Sequence, residues 1–416
     1  MPGSQLSIFP SDLATLERMD RLGTLRRSYL FAGFDRTLCV LLKEGHSRID
    51  ERRVDDQFSY LEIGFKREGL GRAGMLLGLA ARLPLLYQRA REARVDAVVA
   101  CDPHLLGLVG YSMSRLLRVP FGIRLVFHYG LKYEHLKRLA FPPFRTRQVE
   151  RGVEGFLMRA ARGVMVAGPC HRDYIRDVAG DQATVLPFVI GQSEIFYQEP
   201  LRDPSVAERF APGAKKRVVL VSRLIPEKYP QDFVSLAARF RDDRDVAFLI
   251  AGEGPMRAQL EEEAARSGAR VTFTGMLPQD QIRALFATAD AVVIFHGGGA
   301  HVEALLSAAP IVAYDFDVNA FVMRPGYDEG LIVPFRDVDA LAQSVRRLLD
   351  HPAEAQRFAR RGRASALERF SDASARQAER AAADYLLGLQ TTAPDDTAWQ
   401  LTYDPDAAPA SLAGRG

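Results

Sequence analysis

The chemistry-bearing residues of this chain gather in a few short stretches, and the densest is AVVIFHGGGAHVEALLSAAPIVAYD, residues 291–315. His296 and His301 flank Gly297, Gly298 and Gly299, and Glu303 is the lone glutamate inside an otherwise apolar segment. Three glycines between a strand-like run (Val292, Val293, Ile294) and a helix-like AHVEALLSA let backbone N–H groups come close to phosphate oxygens. Glu303, expected within the first turn of that helix, can accept hydrogen bonds from a ribose diol; its alternative role is a favourable partner for the helix dipole. Upstream, VSRLIPEKYPQD carries Arg223 after a β-branched run and Lys228 five residues on. Two fixed cations at one strand end can neutralise a diphosphate, or can be surface charge. IAGEGPM places Gly252 and Gly254 between strand and helix patterns, but Arg257 stands at the third glycine position of a dinucleotide fingerprint, which weakens an NAD reading. TGMLPQDQ ends a strand pattern at Gly275.

These stretches need a frame that brings strand ends together. One unit repeats along the chain: apolar strand, short turn, amphipathic helix. The first half offers strands at RTLCVLL, FSYLEI, DAVVACD, GIRLVFH, RGVMVAG and ATVLPF, with helices at GMLLGLAARLPLLYQRARE and LLGLVGYSMSRLL. The second half offers RVVLVSR, VAFLIAG, RVTFTG, DAVVIF, PIVAYD and GLIVPF, separated by helices such as PMRAQLEEEAARS and PQDQIRALFATA. Strands alternating with helices specify parallel sheets covered on both faces, and ligands bind beyond the carboxyl ends of such strands. Two series predict two doubly wound α/β domains, residues 1–195 and 215–371. Between them, residues 196–214 read as a linker with Pro200, Pro204 and Pro212. A further helix is expected over 372–390, and a Pro- and Asp-rich tail without order over 391–416.

Composition narrows the class. With 416 residues, 47% hydrophobic and 26% charged, the chain is an ordinary globular protein of more than one domain. Cys39, Cys101 and Cys170 are widely spaced, so neither a disulfide framework nor a cysteine zinc site is indicated, and a reduced cytoplasmic setting is expected. His301-Val302-Glu303 matches one element of a zinc deaminase signature, but no Cys-x-x-Cys accompanies it, so no metal is expected. Neither a signal peptide nor a spanning segment is expected, since the longest apolar run is interrupted by Arg82 and Pro84. Residues 1–200 carry 29 Lys+Arg against 22 Asp+Glu, a balance of +7, while the remainder carries 26 against 30, a balance of −4. The excess lies where Lys132, Lys137, Arg138, Arg145 and Arg147 interleave with Tyr129, Tyr133, Phe141 and Phe144. That stretch suits an anionic membrane surface or a phosphorylated acceptor, with solvated helix charge as the alternative. The small net charge and lack of a binding motif argue against nucleic acid.

The order Arg223…Glu227-Lys228, GEGPMRAQLEE, FTGMLPQDQIRALFATADAVV, Glu303-Ala304-Leu305, PIVAYD and EGLIVPF resembles the nucleotide-sugar-binding half of the retaining glycosyltransferases of family four. The likeness covers about residues 215–371 and is looser over 30–200. It implies the GT-B fold, two Rossmann-like domains facing a cleft. The C-terminal domain would hold a nucleoside diphosphate sugar, the N-terminal one a glycan or lipid-linked acceptor. Arg223 and Lys228 match the family's diphosphate-binding pair, Glu303 the second glutamate of its Glu-x7-Glu motif, and His128 an active-site histidine. His128 also reads simply as a hydrogen-bonded strand-end residue. The resemblance implies a metal-independent enzyme of polysaccharide or glycolipid assembly, peripheral at the inner membrane face. Phe295 stands where the first glutamate of the motif is expected, and HGGGAH replaces its loop. The expectation drawn from this is that the glycines approach the diphosphate while His296 or His301 partly takes over the missing polar contact. A catalytically silent subunit and a nucleotide-sugar epimerase are the alternatives.

Overall fold

A computed structural model describes residues 3–9, 13–18, 30–66, 71–125, 127–189, 191–324 and 326–394. The described residues form two compact units. One holds those up to Val189 and those from Ala373 onward; the other holds residues 191 to Asp372.

The first unit contains eight strands: β1 (Gly3–Phe9), β2 (Phe34–Glu44), β3 (Ile49–Arg53), β4 (Phe58–Phe65), β5 (Ala97–Ala100), β6 (Phe121–Leu125), β7 (Gly163–Val166) and β8 (Val185–Pro187). Their order is β3-β4-β2-β1-β5-β6-β7-β8, parallel except where β3 runs antiparallel to β4. Two of these strands carry no clear signal in the sequence. β1 is central, yet Gln5 and Ser7 are buried within it and interrupt the apolar run by which a buried strand is recognised. β3, IDERR, is exposed throughout, a charged edge that discourages pairing with another chain. The run from Gly74 to Glu92, expected as one helix, is divided between helices Gly71–Ala80 and Leu83–Glu92. Pro84, which lacks an N–H and crowds the preceding turn, sits in the first turn of the second helix. The closing helix Asp372–Leu387 supplies Ala382, Ala383 and Leu386 to a buried cluster with Phe34, Val99 and Met165, so the chain's last helix completes the core of its first unit. All three cysteines are free, and Cys39 and Cys101 are core residues beside Phe58 and Tyr60.

The second unit has six strands: β9 (Lys216–Val221), β10 (Val246–Ala251), β11 (Val271–Gly275), β12 (Ala291–Ile294), β13 (Ile311–Tyr314) and β14 (Leu331–Val333). All are parallel, in the order β11-β10-β9-β12-β13-β14. The chain winds outward one way from β9 through β10 and β11, then returns to β12 on the other side. The strand order therefore reverses between β9 and β12, where loops diverge and leave a crevice. Short helices occupy Glu194–Tyr197, which straddles the start of the segment 196–214 expected as a linker, and Ser205–Phe210 within it. Of the expected tail, residues 395–416 lie outside the described residues. Among the described residues no helix is long and apolar enough to cross a membrane.

Candidate donor site at the β9–β12 switch point

The loops leaving β9 and β12 are tied together by the residues that the sequence singled out. Lys228 ends a 3-10 turn, Pro226–Lys228, and its Nζ donates to the carbonyl oxygens of His296 at 2.9 Å and Gly297 at 3.1 Å. In return, the Nδ1 of His296 lies 2.6 Å from the carbonyl oxygen of Glu227. Since a carbonyl only accepts, Nδ1 carries the proton. Burial, and next the neighbouring charge of Arg223, pull the Lys228 ammonium down to about 8, with Asp317 and Glu227 opposing. Arg223 itself is exposed at the strand end. Two cations held at one switch point repel each other, and an anion there relieves the repulsion.

The glycines are required for close approach. A Cβ on Gly297 would stand 2.2 Å from Asn319 Oδ1. Asn319 cannot give way easily, because its Nδ2 donates to Phe295 O and Tyr314 O. Gly298 has φ +115°, a region open to glycine, and precedes the helix Gly299–Leu306. That helix places Glu303 in its second turn rather than its first, since it begins at the third glycine; Glu303 is partly buried there. On the other side of β9, a Cβ on Gly252 would meet Ser222 O at 1.9 Å and one on Gly254 would meet Leu224 O at 2.4 Å. These two glycines let the loop after β10 lie against the loop after β9. Gly275, at φ +76°, ends β11 and accepts from Gly252 N at 2.9 Å.

The two histidines have different fates. His301 is fully buried, with Nδ1 3.3 Å from Asn319 Oδ1, and burial pushes its ring down to about 3, so it is a neutral core residue. His296 is the one held at the loop junction, and its Nε2 lies 2.8 Å from Asp317 Oδ2. Asp317, in the loop after β13 and in left-handed backbone (φ +52°), has no counterpart among the residues expected from sequence. Its only signal was a second acid two residues after Asp315. Phe295, at the position of the absent glutamate, is 2% exposed and packs on Tyr314 with ring centroids 4.9 Å apart. That position belongs to the core and faces no solvent.

His128 lies in the first unit, just past β6, as the N-cap of the helix Tyr129–Leu136. Its Nδ1 accepts from Leu131 N at 3.1 Å, so the neutral ring carries its proton on Nε2 and acts there as a donor. The ring lies against Tyr174, centroids 4.4 Å apart. Tyr174 in turn donates to Glu154 Oε2 at 2.5 Å. Glu154 is fully buried and is also met by His104 Nε2 at 2.8 Å and Arg147 Nη1 at 2.6 Å. Burial opposes its charge, but the bonds from His104, Arg147 and Tyr174 outweigh it and hold the carboxyl below the usual range. Arg147 thereby leaves the expected basic surface: it spans Glu150, Glu154 and Tyr174 instead. Tyr129 is buried as well, while Lys137, Arg138 and Arg145 remain exposed.

Residues 202–365 match the family described as glycosyl transferases group 1. The 2-deoxystreptamine glucosyltransferase of Streptomyces kanamyceticus is 30% identical over 317 residues, 68% of this chain and 76% of that protein. The 2-deoxystreptamine N-acetyl-D-glucosaminyltransferase of Streptomyces fradiae is 28% identical over 346 residues, 80% of this chain and 79% of its own length. Among solved structures, HepE from Anabaena in complex with UDP and glucose superimposes with a TM-score of 0.68 at 20% identity, covering 90% of this chain and 97% of that one. The shared fold is GT-B, with two Rossmann-like parallel sheets.

Proposed function

The chain belongs to the group 1 glycosyl transferases, and from that premise we propose that it transfers a hexose from UDP-hexose to a hydroxyl of a cyclitol or glycan acceptor, with retention and without a metal. The observation that carries the reading is Lys228, pinned to the carbonyls of His296 and Gly297 beside Arg223 at the β9–β12 switch point. Cations fixed there before the substrate arrives stabilise the charge that develops on a departing diphosphate. Glu303 would hold the ribose, and the glycine backbone of residues 297–299 would meet the phosphates. UDP and a cyclitol acceptor are favoured by what the related proteins' names and complexes contain.

His128 would donate from Nε2 to a substrate hydroxyl, with its ring held by Tyr174. The exposed Lys137, Arg138 and Arg145 support peripheral attachment to an anionic membrane at the cytoplasmic face, where a lipid-linked glycan acceptor in polysaccharide or glycolipid assembly would be met. Binding to vesicles with and without anionic lipid at low salt checks that part.

The decisive assay incubates the protein with UDP-glucose and EDTA, with and without 2-deoxystreptamine. Release of UDP only when acceptor is present, with an α-linked product by the anomeric proton coupling, supports the reading. A β-linked product removes retention, abolition by EDTA removes metal independence, and acceptor-independent conversion of the sugar points to epimerisation.

A further inference from the structure

The pair His296–Asp317 has a proton count that its geometry dictates. Glu227 O accepts from His296 Nδ1, so that nitrogen keeps its hydrogen. The remaining contact, Nε2 to Asp317 Oδ2 at 2.8 Å, is then a hydrogen bond only if one proton lies between the two atoms. A neutral ring facing an ionised carboxylate would instead oppose two lone pairs. A hydrogen bond at this contact therefore requires one proton more than an isolated neutral histidine and an ionised aspartate carry, either as imidazolium with carboxylate or as imidazole with carboxylic acid. Both partners are almost entirely buried, at 9% and 4% side-chain exposure.

This pair spans three loops. Asp317 follows β13, His296 follows β12, and Glu227 with Lys228 follows β9. The His296 ring holds Glu227 O while the His296 carbonyl holds Lys228 Nζ, so one residue grips both neighbours in the 3-10 turn. Within the second unit the charged groups facing this ring are Asp317, Lys228 and, through its backbone, Glu227, with Arg223 acting on Lys228. The Phe316 ring lies edge-on at 5.2 Å and walls one side.

Resting on the donor-site reading above, we propose that Asp317 is the positioning residue of that site: its shared proton with His296 clamps the β9, β12 and β13 loops and sets where Lys228 meets the diphosphate. Donor binding should then respond to the pair's proton. Burial and the Lys228 charge lower the ring's affinity for protons, and the Asp317 bond opposes them, the net being below the ordinary histidine value. The ring's shift is to the acid side of that value, apart from the titration of Lys228 at about 8.

The test pairs imidazole nitrogen NMR with UDP calorimetry from pH 5 to 8, on wild type, Asp317→Asn and Asp317→Ala, with His296→Gln to assign the resonances. An asparagine can donate from its amide to Nε2 and keep the clamp with a neutral ring. The expected results are a pH-dependent Nε2 resonance in wild type and a constant, Nδ1-protonated ring in Asp317→Asn. Below pH 7, where Lys228 stays charged in every variant, UDP affinity should rise with falling pH in wild type relative to Asp317→Asn, which binds at near wild-type strength without that rise, and drop tenfold or more in Asp317→Ala. Identical His296 resonances and UDP profiles in wild type and Asp317→Asn, or wild-type affinity in Asp317→Ala, overturn the proposal. Should no nucleoside diphosphate bind the wild type, the donor reading fails and takes the positioning role with it, while the NMR still decides whether the one-proton pair exists.

Discussion

Replacing Lys228 by methionine keeps most of the length of the side chain and removes its charged end. In the structure that ammonium donates hydrogen bonds to His296 O and Gly297 O and is pulled down to about 8 by burial and by Arg223. A hydrogen bond between an ionised donor and phosphate contributes about 1.5–3 kcal/mol. At about 1.4 kcal/mol per factor of ten, the Kd for UDP should rise roughly 10- to 150-fold at pH 7. The pH dependence sharpens the prediction. The lysine charge is present below about 8 and lost as pH rises through it, while a bound diphosphate draws the proton back. Wild-type affinity should therefore fall about tenfold between pH 7 and 9, because the charged fraction of the unliganded site falls from about nine-tenths to about one-tenth. Lys228→Met should show no such fall. Calorimetric titration at the two pH values measures both effects, with melting curves confirming that each protein is folded. A Kd for Lys228→Met within threefold of wild type at pH 7, or an unchanged pH profile, would refute the role given to this residue.

Two other outcomes probe neighbouring parts of the site. Phe295→Glu, which puts an acid where the family pattern has one, should destabilise the protein by about 3–5 kcal/mol for the lost ring alone, since Phe295 is 2% exposed against Tyr314. Urea unfolding should show that loss with no gain in transfer from UDP-glucose; a stable, more active variant would show that the pocket is open there. His301, fully buried and neutral with its ring near 3, binds fewer protons folded than unfolded below pH 6.5, so stability should fall as pH falls from 6.5 toward 3. Relative to His301→Gln, wild type should lose about 1.4 kcal/mol per pH unit in that window, read from urea midpoints at pH 6 and 4.5; parallel curves would place the ring in contact with solvent.

The second unit was the more legible one because its strands are short apolar runs, with β10, β12 and β13 almost wholly buried, while β11 and β14 are only partly so. Arg223, Lys228 and the glycine run stood out because residues of those types at strand ends have few structural uses. What the sequence could not convey is long-range pairing. His296 binds Glu227 O across 69 positions and Asp317 across 21, and no local pattern announces either. Arg147 reads as surface charge until the fold brings Glu150, Glu154 and Tyr174 to it. Phe295 could be read only as a missing acid; its burial against Tyr314 makes that position part of the core. β1 was obscured for the converse reason, since buried Gln5 and Ser7 are polar residues in a central strand.

The loops after β9 and β12 would form the diphosphate site, with Glu303 on the ribose. Calorimetric titration of UDP, GDP and ADP into wild type and Glu303→Ala tests it most directly. Saturable one-to-one binding of one of them, UDP by this account, weakened about tenfold or more in Glu303→Ala, is the predicted result. No binding of any diphosphate to the wild type, or equal binding to Glu303→Ala, would contradict it.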